Sequence, residues 1–518
     1  MAYVITQNCC KDGSCVPVCP VSCIRPAGSP GEFTGTEMLY IDPDACIDCG
    51  ACLEECPVDA IFYDEDLPPD QERFREINAR FFERHPLQIH SQETPLERHG
   101  VKPGALRVAV VGAGPAACYA STALIGVDGV EVNLFERLPT PFGLIRAGVA
   151  PDHQHTKSVV RIFDHTFTNK RFECYLNVEI GSDLTHDELL AHHHAVIYAV
   201  GASRSRELDL PGNELPGNHS AVDFVGWYNG HPDHAHHVFD LSGERAVIIG
   251  NGNVALDVAR VLLLDTDHLA TTDIAPYALA ALSDSRIREV VVLARRGPRD
   301  AAFSTGEFLA LGHLPGVDVI IDSTDLATRP DDDVETVLKL QIAREYADRP
   351  STAANKRVVF RFAASPTEVV GSDRAEGLRV ATNGSPESEL LTARTDTARH
   401  RISRIGDRFA AFRRSKRRGS QRRRRVIDEH GQPVPGVYVT GGSNADRVAS
   451  SAPTETARKK RSPPCWRTFI PASWPPMWLT PRRQATAQRA RIVTDRMGRL
   501  ASIDAAERRR GARCPGPA

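Results

Sequence analysis

The chain has 518 residues and a mass of 56.7 kDa, enough for roughly three domains. Hydrophobic residues make up 41% and charged residues 25%, a globular composition that excludes a collagen-like, disordered or transmembrane-bundle protein. With 63 Lys and Arg against 66 Asp and Glu the net charge is −3, so global charge predicts no nucleic-acid partner.

The opening MAYVITQN has neither a basic nor an apolar signal region, which predicts no secretory leader. Nine of the 13 cysteines precede residue 57. In a cytoplasmic protein, as this one is expected to be, such a cluster points to metal binding rather than disulfides. Cys46, Cys49, Cys52 and Cys56-Pro57 form C-x2-C-x2-C-x3-C-P, the bacterial ferredoxin run for a cubane iron–sulfur cluster. A zinc site would call instead for two separated C-x2-C knuckles. A degenerate partner run lies upstream, with Cys9-Cys10, Cys15, Cys19-Pro20 and Cys23. Pseudo-symmetry predicts that Cys19 completes the cluster of Cys46, Cys49 and Cys52. Cys56 then crosses to Cys15 and one of Cys9 or Cys10. Residues 1–62, including MLYIDPDACIDCGACLEECPVDAIFY, resemble the seven-iron ferredoxins, which carry one 3Fe-4S and one 4Fe-4S cluster. The first gap of the upstream run is narrower here than in that family. The choice between Cys9 and Cys10 therefore stays open, as does a second 4Fe-4S cluster. The resemblance makes Cys23 a free, buried thiol.

Residues 63–105 read as a charged, proline-punctuated linker. Within it DQERFREINARFFERH predicts an amphipathic helix, with Phe74, Ile77, Phe81 and Phe82 as a docking stripe between domains. The uncharged stretch Val108–Val127 is long enough to span a membrane. Its interior GAGPAA instead predicts strand, glycine turn and helix, so no membrane partner is expected. Gly112, Gly114 and Ala117 form G-x-G-x-x-A, and a second strand ends at Glu136, where an acid binds ribose hydroxyls. A second unit repeats the pattern at Gly250, Gly252 and Ala255, but its next strand ends in Arg295-Arg296. Arginines there accommodate a 2′-phosphate, so this half is expected to take NADP(H) and the first half FAD. His192, His193 and His194 read as exposed turn residues.

PFGLIRAGVAPDHQHTKSV (141–159), VIYAVGAS (196–203), AVDFVGWYNGHPDH (221–234) and RRGPRDAAFSTGEF (295–308) resemble the adrenodoxin-reductase-type ferredoxin–NADP reductases. With the cysteine-rich head, residues 1 to about 390 resemble the fused ferredoxin/ferredoxin–NADP reductases of mycobacteria. The implied fold is an α+β ferredoxin-like iron–sulfur domain followed by an α/β reductase of two Rossmann-like dinucleotide-binding domains. The implied FAD contacts are Gly114, Ala117, Glu136, Leu144 and Val149. The implied NADP contacts are Asn253, Val254, Arg295, Arg296 and Glu307. His153 and Asp257 match family positions near the flavin and the electron partner. The resemblance implies electron movement between NADPH, FAD, iron–sulfur clusters and an external ferredoxin or other one-electron acceptor. The NADP domain is inserted in the FAD domain, which gives boundaries of 106–205, 206–395 and a return at 396–441. Two rival readings are an electron carrier with a non-functional reductase half, and an electron-supplying subunit similar to that of glutamate synthase.

Beyond about Leu391 the resemblance breaks. From Arg394 to Arg425 there are 14 basic residues and two acidic ones, with no interleaved aromatic run to suggest nucleic-acid binding. Residues 426–441 fit the family again, and from Gly442 to the end they do not. Gly441 to Ser462 admits codons whose third-base frame reads W-I-K-R-G-P-R-G-F-I-G-T-N, the segment the family would carry there. Shifted reading frames are therefore hypothesised near 393–425 and from Gly442 onward, with a disordered tail over 442–518 and impaired activity. Codons in the gene that cannot generate the shifted strings would sink this idea.

Overall fold

The structure, a computed structural model, describes residues 2–26, 37–87, 100–201, 204–205, 210–323, 325–382, 388–392, 397–399, 402–403, 425–427 and 433–441. The tail from Gly442, its Trp466, Trp474 and Trp478, and nearly all of the arginine-rich stretch lie outside the described residues.

The cysteine-rich head is built on two small antiparallel sheets. Tyr3–Ile5 pairs with Ile61–Tyr63, and Ile24–Arg25 with Tyr40–Ile41. Short helices Cys15–Val18 and Ala51–Glu54 carry cysteines of the two runs. The expected amphipathic helix spans Arg73–Arg84 and buries Phe74, Ile77, Phe81 and Phe82. Its stripe joins one hydrophobic core that runs from the head into the second dinucleotide domain. Tyr40 stacks on Phe81 with centroids 4.1 Å apart. Arg73 pairs with Glu345 at 2.7 Å, so the linker helix is clamped between the two units.

The first dinucleotide unit is a six-stranded sheet ordered Arg425–Ile427, Pro433–Val439, Ala195–Tyr198, Leu106–Val111, Val130–Glu136 and Phe172–Leu176. The four strands in register from Pro433–Val439 to Val130–Glu136 are parallel, which buries both faces and explains their near-continuous Val, Ile and Ala runs. The second unit is ordered Asn218–Ser220, Thr397–Arg399, Arg245–Ile249, Glu289–Leu293, Lys356–Arg361 and Val317–Asp322. Thr397–Arg399 lies parallel between Asn218–Ser220 and Arg245–Ile249, where it fills a vacant ladder. Thr397–Arg399 thus belongs to the second sheet, although it lies past the boundary expected at 396.

One surface reading is corrected. His193 is buried, donating through Nδ1 to the Leu189 carbonyl at 2.9 Å and meeting Asn133 Nδ2 through Nε2 at 3.0 Å. Burial pushes its pKa down to about 4. The His194 ring accepts the Arg107 N–H at 3.0 Å. Helix His186–His192 ends immediately before His193, and strand Ala195–Tyr198 starts two residues after it, so the ring is held between the helix end and the sheet.

Candidate functional site

The head brings its cysteines together in two groups. Cys19, Cys23, Cys46, Cys49 and Cys52 line one small pocket. Cys23 is buried, its sulfur 3.5 Å from that of Cys19. Gly50, at φ 74°, sits in this loop with the Tyr3 ring against it, so a side chain there would meet the ring. The other group holds Cys9, Cys10, Cys15 and Cys56. Backbone N–H groups of Lys11 and Leu39 reach the Cys9 sulfur; that of Asp12 reaches the Cys10 sulfur, whose thiol also donates to Asp12 Oδ1 at 3.7 Å. Burial raises the thiol pKa of Cys9, Cys15 and Cys56, so without a metal these groups stay protonated.

The two groups face opposite surroundings. Cys9, Cys10 and Cys56 pack against Cys118, Ile145, Val159 and Phe163 of the first dinucleotide unit. Ser158 Oγ donates to the Pro57 carbonyl at 2.9 Å across the same seam. At the opposite end Cys49 is exposed, and Ile47 and Leu53 are 58% and 44% exposed.

In the first unit Gly112 turns at φ 99°, and a Cβ there would lie 2.7 Å from the Ala199 carbonyl oxygen. Gly114 caps helix Pro115–Ile125 without a side-chain cap, and nothing lies within 4 Å of a Cβ built on it. An open backbone cradle at a helix N-terminus suits a pyrophosphate. Ala117 is fully buried where the helix crosses the sheet. Glu136 accepts the Ala113 N–H at 2.7 Å and the Leu138 N–H at 3.0 Å, which pins the acid beside the loop. Leu144 is exposed on the short helix Leu144–Ala147, and the Val149 N–H closes back onto its carbonyl at 2.9 Å.

The second unit repeats the cradle. Gly250 has φ 115°, and Gly252 caps helix Asn253–Leu263, again without a side-chain cap. Asn253 Oδ1 accepts the Ser304 N–H at 2.7 Å, and Val254 is half-buried on the first turn. Arg295 and Arg296 stand exposed just past strand Glu289–Leu293. Glu307 lies on helix Thr305–Leu311.

His153, Asp257 and Glu307 converge between the two units. His153 Nδ1 lies 3.9 Å from Asp257, and its Nε2 lies 3.8 Å from Glu307. Sequence reasoning missed the group that holds them, Arg260. Its guanidinium bonds Asp152 at 2.5 and 3.4 Å, Asp257 at 2.7 Å and Glu307 at 3.2 Å. Burial would raise the Asp152 carboxyl, but Arg260 outweighs it and leaves the group lowered. For Glu307 burial wins, and its pKa is raised despite His153 and Arg260. The available signal was the i, i+3 spacing of Asp257 and Arg260 on one helix.

Comparison with known proteins agrees with this layout. Residues 39–62 match the 4Fe-4S binding domain family, and residues 106–296 match the pyridine nucleotide-disulphide oxidoreductase family. A probable ferredoxin/ferredoxin--NADP reductase of Mycobacterium leprae is 45% identical over 456 residues, covering 85% of this chain and 81% of its own length. The counterpart in Mycobacterium tuberculosis H37Rv is 47% identical over 459 residues, covering 85% and 79%. The solved structure of Mycobacterium tuberculosis FprA in complex with NADPH superposes with a TM-score of 0.60 at 40% identity. It covers 66% of this chain and 79% of that one.

Proposed function

The chain belongs to the ferredoxin/ferredoxin–NADP reductase family, and on that premise we propose that it moves electrons between NADPH and an external one-electron acceptor through FAD and its own iron–sulfur clusters. FAD, when bound, supplies the exchange between paired and single electrons. The chain's residues supply binding, orientation and a route. The Gly112 and Gly114 cradle, Ala117 and Glu136 would hold the FAD pyrophosphate and ribose, with Leu144 and Val149 lining its path. Gly250, Gly252, Asn253 and Val254 would cradle NADP(H), and Arg295 and Arg296 would take its 2′-phosphate. Arg260 holds Glu307 and Asp257 against His153, which fixes the wall between the two dinucleotides.

The observation that carries the reading is the orientation of the head. The end with Cys9, Cys10 and Cys56 packs on the first dinucleotide unit, and the end with Cys49 faces out. The inner group therefore receives electrons first, and the outer group passes them on. Three thiolates suit a 3Fe-4S cluster at the inner site, with Cys9 as ligand because its sulfur takes two backbone N–H groups, whereas the Cys10 sulfur takes one and its thiol is engaged by the Asp12 carboxylate. Cys19, Cys46, Cys49 and Cys52 suit a 4Fe-4S cluster at the outer site. Between Arg25 and Arg73 there are 13 Asp and Glu and no Lys, Arg or His. Exposed Asp44, Asp48, Glu54 and Glu55 surround Ile47, Cys49 and Leu53, so the acceptor is a protein with a basic contact surface. Reduced thiols suit the cytoplasm. Among the described residues no helix is long and apolar enough to cross a membrane.

The test is an anaerobic visible spectrum of the purified chain before and after NADPH. A flavin band that bleaches, followed by cluster reduction, is the expected result. Cluster absorbance without flavin, unchanged by NADPH, would leave only the electron-carrier reading and would make the sequence beyond Gly442 incompatible with a working reductase.

A further inference from the structure

A second cluster of ligating side chains lies away from both dinucleotide loops. The segment after helix Ala221–Tyr228 carries four histidines in seven positions, His231, His234, His236 and His237. Short histidine-rich tracts are a metal-binding composition. Here the backbone folds the tract over its own helix. The His231 N–H donates to the Gly226 carbonyl at 2.8 Å, the His234 N–H to His231 at 2.9 Å and the His237 N–H to His234 at 3.1 Å. Gly226 makes room for this return, because a Cβ there would lie 2.3 Å from the His234 ring.

The fold-back sets two imidazoles on Asp223, in the first turn of the helix. His234 Nδ1 lies 3.2 Å from Asp223 Oδ1, and His237 Nε2 lies 3.8 Å from the same oxygen. The three donor atoms all lie within 4.8 Å of one another. A tetrahedral cation with bonds of about 2.0–2.1 Å spaces its ligand atoms about 3.3 Å apart. His234 Nδ1 has almost no exposed surface and lies directly against the Asp223 carboxylate.

We propose that Asp223, His234 and His237 bind a borderline divalent cation of the zinc type. Two imidazoles and one carboxylate suit Zn²⁺, Co²⁺, Ni²⁺ or Cu²⁺, and they do not suit Ca²⁺ or Mg²⁺, which take oxygen ligands. The same loop carries Asp233, which pairs with Arg137 at 2.7 Å, one residue beyond Glu136. A cation would therefore stiffen the support behind the nucleotide-binding acid.

The holoprotein is dialysed against micromolar Zn²⁺, and zinc, iron and flavin per chain are measured by elemental analysis and absorbance. The expected result is one zinc more per chain in the parent than in Asp223→Asn or His237→Gln, at equal iron and flavin. Equal zinc in parent and variants would overturn the site. Should a variant lose iron or flavin, zinc-edge X-ray absorption of the parent decides. A shell of N and O ligands at about 2.0 Å that includes two imidazoles supports the site, and a shell with one imidazole or with sulfur at about 2.3 Å assigns the zinc elsewhere and overturns it.

Discussion

Replacing Arg260 by Leu removes the one guanidinium that joins three acids. The Arg260 side chain is 4% exposed, and Asp152, Asp257 and Glu307 are 8%, 11% and 15% exposed. Hydrogen bonds to charged groups contribute about 1.5–3 kcal/mol each, but bonds from one guanidinium do not add. Breaking a buried pair by removing one partner costs about 3–5 kcal/mol, because the remaining charge is stranded. Among the described residues His153 would stay near the stranded carboxylates, so about 4 kcal/mol is expected at pH 7.5. At about 2–4 °C per kcal/mol, the melting temperature should fall by about 8–16 °C. The loss carries a pH signature. With Arg260 present, the lowered Asp152 contributes stability above the unfolded pKa of about 3.9, lost as pH falls through its folded value. Without it the buried acids take up protons, so the variant's deficit should shrink between pH 7.5 and pH 5. Arg260→Lys should fall between the two, since it keeps a charge and loses the planar fork. The assay is thermal unfolding followed by circular dichroism and flavin release. A deficit under about 1 kcal/mol, or one that does not change with pH, would refute this account of the cluster.

Arg295→Ala with Arg296→Ala should weaken NADPH binding by about tenfold or more and leave NADH binding unchanged, measured by titration of flavin reduction. Glu335 accepts the Tyr40 hydroxyl at 3.2 Å and the Glu37 N–H at 3.1 Å where the head meets the second unit. Burial, then Glu37, push its pKa up to about 7. The group's full contribution is present below the unfolded pKa and lost as pH rises through about 7. Glu335→Gln should therefore stabilise the protein at pH 8 by up to about 3 kcal/mol and give no gain at pH 4, read as loss of cluster absorbance on heating. His193 behaves in the opposite sense. Its depressed pKa contributes stability above the unfolded value of about 6.5, lost as pH falls to about 4, up to about 3 kcal/mol. His193→Gln should flatten that acid loss in unfolding measured at pH 7.5 and pH 4.5.

What could be read from the chain was what a few adjacent residues must do for geometric reasons. Two-residue gaps aim Cys46, Cys49 and Cys52 into one loop, and pseudo-symmetry is enough to exchange Cys19 and Cys56 between groups. Gly112 and Gly250 occupy backbone conformations that exclude side chains, so the turns they make are written in the local pattern. Arg260 was invisible because its role depends on three acids from three separate segments. The burial of His193 depends on which end of a helix docks on the sheet. The pairing of Asp223 with His234 and His237 requires the loop to fold back over its helix, which no linear spacing encodes. The place of Thr397–Arg399 in the second sheet has the same origin, since strand pairing is not written in local spacing.

The orientation of the head remains to be explained, because a pseudo-symmetric head could present either end to the flavin unit. The linker helix breaks that symmetry through Asn78, a polar residue within an apolar stripe. Asn78 is 2% exposed. Its Oδ1 accepts the Ile41 N–H at 2.9 Å and the Ile5 N–H at 3.3 Å, and its Nδ2 donates to the carbonyls of Ile5 and Phe74 at 2.8 Å. One side chain thus bolts the helix to a strand of each small sheet. Hydrophobic contact alone would let the helix slide, whereas these bonds accept one register. Asn78→Leu keeps the volume and leaves buried backbone groups unpaired, at about 1–3 kcal/mol for each. NADPH should reduce the flavin of this variant at the parental rate, while transfer onward to the clusters slows. Equal rates for both steps, with the head still folded and loaded with iron, would mean that the apolar stripe alone orients the head.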